Sequence, residues 1–254
     1  MTWHLLRDTA RPGWQNMAVD AALLDLAAEG GDAFLRLYRW EPHCLSFGRH
    51  EPALRRYDVE RIRALGLDVV RRPTGGRAVW HAGELTYAVA APLVPFGGQK
   101  PAYAAIHAVI AEAIRSLGGD SALAEPGRAL SPGAGPCFSA PVGGEVLIGG
   151  KKVTGSAQLI QGDTLLQHGS ILLEDDQSLV RGLAGQGGDE PAEASLSQAL
   201  GRMVGIEELS LAIAAAARRA FGPMTPISAD SNRIATHLPR HQARFRDLAW
   251  TWQR

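Results

Sequence analysis

Cys137 stands in the most irregular stretch of the chain, Glu125 to Gly144. Pro126, Pro132, Pro136 and Pro141 are mixed there with Gly127, Gly133, Gly135, Gly143 and Gly144. Prolines and glycines at this density exclude a regular element, and a long loop inside a compact domain is commonly functional. A thiol on such a loop has access, and once deprotonated it is a good nucleophile near neutral pH. The only other cysteine, Cys44, lies in the apolar run Cys44-Leu45-Ser46-Phe47, the setting of a small buried hydrophobe.

A second chemical group follows the loop, in Gly149-Gly150-Lys151-Lys152-Val153-Thr154-Gly155-Ser156-Ala157-Gln158. Adjacent lysines on a strand point to opposite faces. Lys152 immediately precedes the small, apolar residues and is expected to face inward. A buried ammonium can hold a carboxylate or thioester oxygen, or favour the thiolate of a nearby cysteine. A third group is Arg71-Arg72-Pro73-Thr74-Gly75-Gly76-Arg77 with His81 beyond it. Paired glycines let backbone N–H groups approach a ligand, and flanking arginines suit an anion or a polarised carbonyl. Taken alone, a glycine pair is more often a plain turn.

Regular elements must hold these groups. Helical spacing of Met17, Ala21, Leu24 and Ala28 predicts a helix over Asn16–Ala28, and a second runs from Tyr103 to Leu117. Strands are expected at Phe34–Trp40, Cys44–Phe47, Leu67–Arg72, Arg77–His81 and around Leu85, Tyr87 and Val89. Three more are predicted at Glu145–Ile148, Lys152–Ile160 and Ser170–Leu173. Val59–Leu65 reads as a brief helix and Arg181–Ala194 as a connector. Helices are expected at Leu196–Met203, Glu207–Phe221 and His237–Trp252. His168, opening a strand, is read as structural.

Composition narrows the partners. The 254 residues carry 26 Lys plus Arg and 26 Asp plus Glu, a formal net charge of zero, so no long-range field recruits nucleic acid. No apolar stretch approaches bilayer length, and Met1 to Trp14 lacks the apolar core of a signal peptide. Two cysteines in so long a chain fit a reducing cytoplasm. The eight histidines are scattered without ligand spacing, and no Walker-type loop is present. Neither metal nor cofactor is expected.

Together the segments resemble the biotin/lipoate protein ligase superfamily, and within it the cysteine-dependent octanoyltransferases. Four stretches carry the resemblance: Asn16 to Asp20; Arg72 to His81 with Glu84-Leu85-Thr86-Tyr87; Pro136-Cys137-Phe138 with Ala140-Pro141; and Lys152 to Gln158 with Gln167-His168-Gly169-Ser170. The resemblance implies an α/β (α+β) fold, a mixed, mainly antiparallel sheet flanked by helices. Residues 1–254 would form one catalytic domain, with 195–254 its helical C-terminal extension. It further implies that octanoyl passes from acyl carrier protein to Cys137, then to a lysine of a lipoyl domain or glycine-cleavage H protein.

In that scheme Lys152 lowers the thiol pKa and holds the acyl carbonyl. Arg72, Gly75, Gly76 and His81 wall the acyl tunnel, and Gly155, Ser156 and Ala157 complete the substrate site. Two departures from the family pattern stand out: Ala82-Gly83 after His81, and Glu51 where glutamine is common. The alternatives are an ATP-dependent lipoate–protein ligase, acyl transfer between two lipoyl carrier proteins, and a non-catalytic partner subunit. Arg77 and Glu84-Leu85-Thr86 replace the ligase pattern after Gly76, and Cys137 favours transfer.

Overall fold

The computed structural model describes residues 1–124, 144–174, 177–185 and 193–253. Strand β1 (Trp3–Arg11) leads into helix α1 (Gly13–Gly30), followed by β2 (Ala33–Trp40) and β3 (Cys44–Phe47). Short helices α2 (Ala53–Arg56) and α3 (Val59–Ala64) precede β4 (Asp68–Arg71), β5 (Val79–His81) and β6 (Glu84–Pro92). Helix α4 (Gln99–Ser116) comes next, then β7 (Ser121–Leu123), β8 (Val146–Ile148), β9 (Lys151–Lys152), β10 (Thr154–Gln161) and β11 (Thr164–Leu172). The rest is α5 (Ser178–Leu183), α6 (Leu196–Leu200), α7 (Ile206–Phe221), β12 (Met224–Pro226), α8 (Asn232–Ala235), α9 (Leu238–Arg246) and α10 (Leu248–Thr251).

Six strands form the main sheet in the order β10-β11-β6-β2-β1-β12. Pairing is antiparallel from β10 to β2 and parallel from β2 to β12. A smaller sheet, β4-β3-β5, carries the arginine–glycine turn, and a third, β7-β8-β9, carries Lys152. This is the mixed, mainly antiparallel arrangement expected, with helices on both faces.

Alternation along the central strands divides the core in two. Leu35 and Leu37 of β2 and Leu85, Tyr87 and Val89 of β6 pack with α4 and α7. Phe34 and Tyr38 of β2, Ala88 and Ala90 of β6 and Leu166 of β11 pack with α1. A sheet covered on both faces leaves no solvated side, so β11 is buried from end to end. Among the described residues no helix is long and apolar enough to cross a membrane.

Several boundaries differ from the sequence reading. The strand expected over Lys152–Ile160 breaks at Val153: Lys151 and Lys152 pair with β8 in the third sheet, and β10 starts at Thr154 in the main one. Periodicity cannot reveal a change of sheet within an unbroken β-rich run. The helix expected over His237–Trp252 splits at Asp247, whose side chain accepts from Ala249 N and caps α10. The connector expected from Arg181 begins inside α5, because Val180 and Leu183 pack against the small sheet with Leu45 and Phe47. Strands β1 and β12 were not foreseen; each completes itself only by pairing with distant chain.

Polar residues interrupt the α1 side of the core as a connected group. The Arg36 guanidinium is fully buried and contacts Asp20 and Asp8, each at 2.7 Å, and Asn16 Oδ1 at 2.8 Å. Removing one member of a buried ion pair strands the other charge, at about 3–5 kcal/mol. Arg36→Leu is therefore expected to destabilise by that amount in urea denaturation; a loss under about 1 kcal/mol would reduce the network to surface-pair strength. Burial tends to raise the Asp8 pKa, but Arg36 and Arg11 outweigh it and hold the carboxyl below its usual range. Its contribution is present above the ordinary carboxylate pKa and should be lost as pH falls through the depressed value. Asp8→Asn is expected to flatten that acid limb.

Candidate active site

The small sheet builds the first wall. Arg72 follows β4, and its side chain is held on four sides: Nη1 donates to Ser46 O at 3.0 Å and Ser46 Oγ at 2.6 Å, and Nη2 to Gly75 O at 3.1 Å and Arg77 O at 2.8 Å. The turn therefore presents carbonyls to its own arginine. Gly76 has φ +85°, which a side chain would strain, and a Cβ on Gly48 would overlap the Gly76 carbonyl. Glycine is needed at both positions so that β3 and the turn can close up.

β5 and β6 supply the next wall. His81 Nδ1 lies 2.7 Å from Glu84 Oε1, its Nε2 lies 2.6 Å from Ser46 Oγ, and its ring stacks on Trp40 with centroids 3.9 Å apart. Because Ser46 Oγ accepts from Arg72, its own proton is free to go to His81 Nε2, leaving Nδ1–H for the carboxylate. Thr86 Oγ1 and Ser170 Oγ also donate to Glu84 Oε1, at 2.5 and 2.9 Å. Trp40 Nε1 donates to Thr86 Oγ1 at 2.7 Å.

β11 adds His168, with Nδ1 3.0 Å from Asp20 Oδ2 and Nε2 2.6 Å from Thr74 Oγ1. Burial depresses its pKa despite Asp20, so the imidazole is neutral, donating to Asp20 and accepting from Thr74. Tyr38 OH donates to the same Asp20 oxygen at 2.8 Å. His168 thus ties α1, β11 and the Thr74 turn together, beyond the passive role read from sequence.

These walls line a cavity that is partly open to solvent. Of the site residues expected from sequence, Arg72, His81, Gly155, Ser156 and Ala157 line it. Met17, Tyr38, Trp40 and Thr86 line it as well, without having been foreseen. Gly75 and Gly76 are not on the wall; they stand behind it, as acceptor for Arg72 and as contact for Gly48. Lys152 is not on it either. Lys151 is exposed and Lys152 is 1% exposed, with Nζ 2.7 Å from Glu145 Oε1. Cys137 lies outside the described residues.

A second polar cluster, on the α4 side of the sheet, escaped sequence reasoning. His107 Nδ1 donates to Gly144 O at 2.6 Å, and Nε2 lies 2.8 Å from Ser156 Oγ and 3.1 Å from Tyr87 OH. Burial, opposed by the hydrogen bond to the Gly144 carbonyl and helped by the positive charge of Lys152, pushes the His107 pKa down to about 4. A lone histidine on an amphipathic helix gives no signal of such a role. Cys44 is fully buried; burial, reinforced by Asp68, raises its thiol pKa far above the usual value, so it is a poor nucleophile. No group of three or more metal-ligating side chains occurs among the described residues.

Residues 12–218 match the family model described as "Lipoyl protein ligase A/B catalytic domain". A protein of Symbiobacterium thermophilum named Octanoyltransferase LipM is 38% identical over 88% of this chain and 88% of its own length. One of the same name from Exiguobacterium is 32% identical over 100% and 99%, and one from Kyrpidia tusciae 41% identical over 69% and 67%. Among solved structures, a putative lipoate protein ligase of T. acidophilum with bound lipoic acid superimposes with a TM-score of 0.82 at 18% identity, covering 100% of both chains. A lipoate-protein ligase A bound with ATP gives 0.82 at 19%, covering 99% of both. At that identity the likeness is one of fold.

The glycine contacts give a direct test of how the walls are closed. Gly48→Ala is expected to cost about 1–3 kcal/mol, since a backbone overlap cannot be relieved by a rotamer. Gly182, in α5, has open space around its Cβ position. Gly182→Ala should be neutral or stabilise by about 0.5–1 kcal/mol. Equal denaturation midpoints for the two variants would show that the Gly48–Gly76 approach is slack.

Proposed function

This chain belongs to the lipoyl protein ligase A/B catalytic-domain family, and from that premise we propose that it is an octanoyltransferase working in lipoate biosynthesis. Acyl carrier protein donates the octanoyl group, and the acceptor is a lysine of a lipoyl domain or of the glycine-cleavage H protein. The thiolate of Cys137 attacks the donor thioester, the donor thiol leaves with a proton, and an acyl-Cys137 thioester forms. The lysine amine then attacks that thioester, forming an amide and returning the Cys137 thiol. Exchange between thioesters is nearly balanced in energy and amide formation is downhill, so no ATP is required.

The observation that carries the reading is the cavity itself. It sits between the Arg72 turn and the Gly155–Ala157 strand, two of the segments that carry the family likeness. An octanoyl tail of about seven apolar carbons gains about 5 kcal/mol on full burial, at ~0.8 per carbon. Lys152 serves Cys137 electrostatically in this reading, and Glu145 keeps the buried ammonium from standing uncompensated. We take residues 1–254 as one catalytic unit, which the pairing of β12 with β1 and the packing of α9 on α1 support. Two cysteines and zero net charge fit a cytoplasmic setting.

Intact-protein mass spectrometry after incubation with octanoyl carrier protein, without nucleotide, tests the scheme. An octanoyl adduct should appear, move to a lipoyl domain, and vanish in Cys137→Ala. Cys44→Ser should retain the adduct, since that thiol is buried. Strict dependence on free acid plus MgATP would instead make the chain a ligase. For Lys152, alkylation rate against pH is the measure: Lys152→Gln should shift the thiol's titration upward, and superimposable profiles would remove Lys152 from the activation of Cys137.

A further inference from the structure

Six polar side chains on the cavity wall have a common feature: each polar hydrogen is spent within the wall. Tyr38 OH goes to Asp20, Trp40 Nε1–H to Thr86, and the Thr86 and Ser170 hydroxyls to Glu84. Both ring nitrogens of His81 are taken, by Glu84 and Ser46, and both of His168, by Asp20 and Thr74. The two imidazoles have no N–H to offer whichever tautomer or charge they carry. The sinks are two fully buried carboxylates, Asp20 and Glu84, neither of them on the wall. Glu84 Oε1 takes three hydrogens, and Glu84 Oε2 has no partner among the described residues, adding an acceptor and no donor. These six residues therefore show a ligand carbon surface and oxygen lone pairs only.

We propose that Glu84 and Asp20 are positioning residues that set chain specificity: by drawing in the wall's polar hydrogens they make it reject acceptor oxygens and receive a plain alkyl chain. A ketone or ether oxygen on the chain leaves water and finds no donor on this wall, whereas methylenes lose nothing. The same rule orients the acyl group. Its carbonyl end is turned away from these six residues. The proposal rests on the acyl-transfer reading for its substrate, but the wall can be tested by binding alone.

Octanoate and 7-oxooctanoate, titrated calorimetrically as free acids, probe the wall directly; the matching thioesters compete in the transfer reaction. Wild type is expected to favour the plain chain by roughly tenfold or more, the cost of one buried unsatisfied acceptor. Glu84→Gln keeps the shape but brings an NH₂ and one oxygen fewer, so wall hydrogens are released and the preference should narrow several-fold in both assays. Equal binding of the two acids by wild type overturns the proposal whatever the variant does. So does an unchanged ratio in Glu84→Gln that melts cooperatively like wild type. Selective binding of octanoate without transfer of either chain would sink the octanoyltransferase reading while leaving the wall's selectivity established.

Discussion

The carboxylate of Asp20 is the contact on which the rest of the molecule leans. It reaches from α1 into the sheet and takes hydrogen bonds from Arg36 and Tyr38 on β2 and from His168 on β11. A buried charge is tolerated only when fully surrounded, so three elements must hold fixed positions around it. α1 therefore cannot slide along the sheet without breaking an ion pair and two hydrogen bonds together. The cavity inherits this rigidity, because Met17 of α1, Tyr38 and His168 are all on its wall.

Glu84 does for the opposite wall what Asp20 does for the back. It gathers His81, Thr86 and Ser170, and through Ser46 and Arg72 connects to the carbonyls of the Gly75–Arg77 turn. The two carboxylates play one part twice: each anchors a histidine whose second nitrogen bonds a hydroxyl of the small sheet or its turn. Polar residues that could have made the cavity sticky are thereby turned into scaffold. The main sheet and the small sheet are joined through this scaffold as well as through apolar contact.

The α4 side of the sheet follows a different logic. His107, Tyr87, Gln167 and Ser156 form a closed set of hydrogen bonds near the Lys152–Glu145 pair, and the cationic lysine helps keep His107 neutral. β10 and β11 thus border the cavity on one side and a buried polar cluster beside Lys152 on the other. That β9 and β10 belong to different sheets is what allows this, since the chain changes sheet at Val153, between Lys152 and the Gly155–Ala157 segment.

The amino-acid sequence by itself determined what depends on near neighbours. Helical spacing located α1 and α4, β-rich runs bounded by glycine and proline located β2 and β3, and alternation located β6, because these signals are local. It marked Cys44 as buried, set Lys152 apart from Lys151, and singled out the Arg72 turn, His81 and Gly155–Ala157, all of which contribute to one region. It offered Cys137 as nucleophile. Only the tertiary structure decided which polar residues act together. His168 and Asp20 are 148 positions apart, His107 and Ser156 are 49 apart, and neither pair leaves a trace in spacing. The same holds for β1 and β12, which become strands by finding edges far along the chain, and for Glu84, whose meaning lies in the hydrogens that folding brings to it. Local pattern fixes what an element is; the pairing of distant buried polar groups fixes what it is for, since each must find its partner within the fold once water is gone.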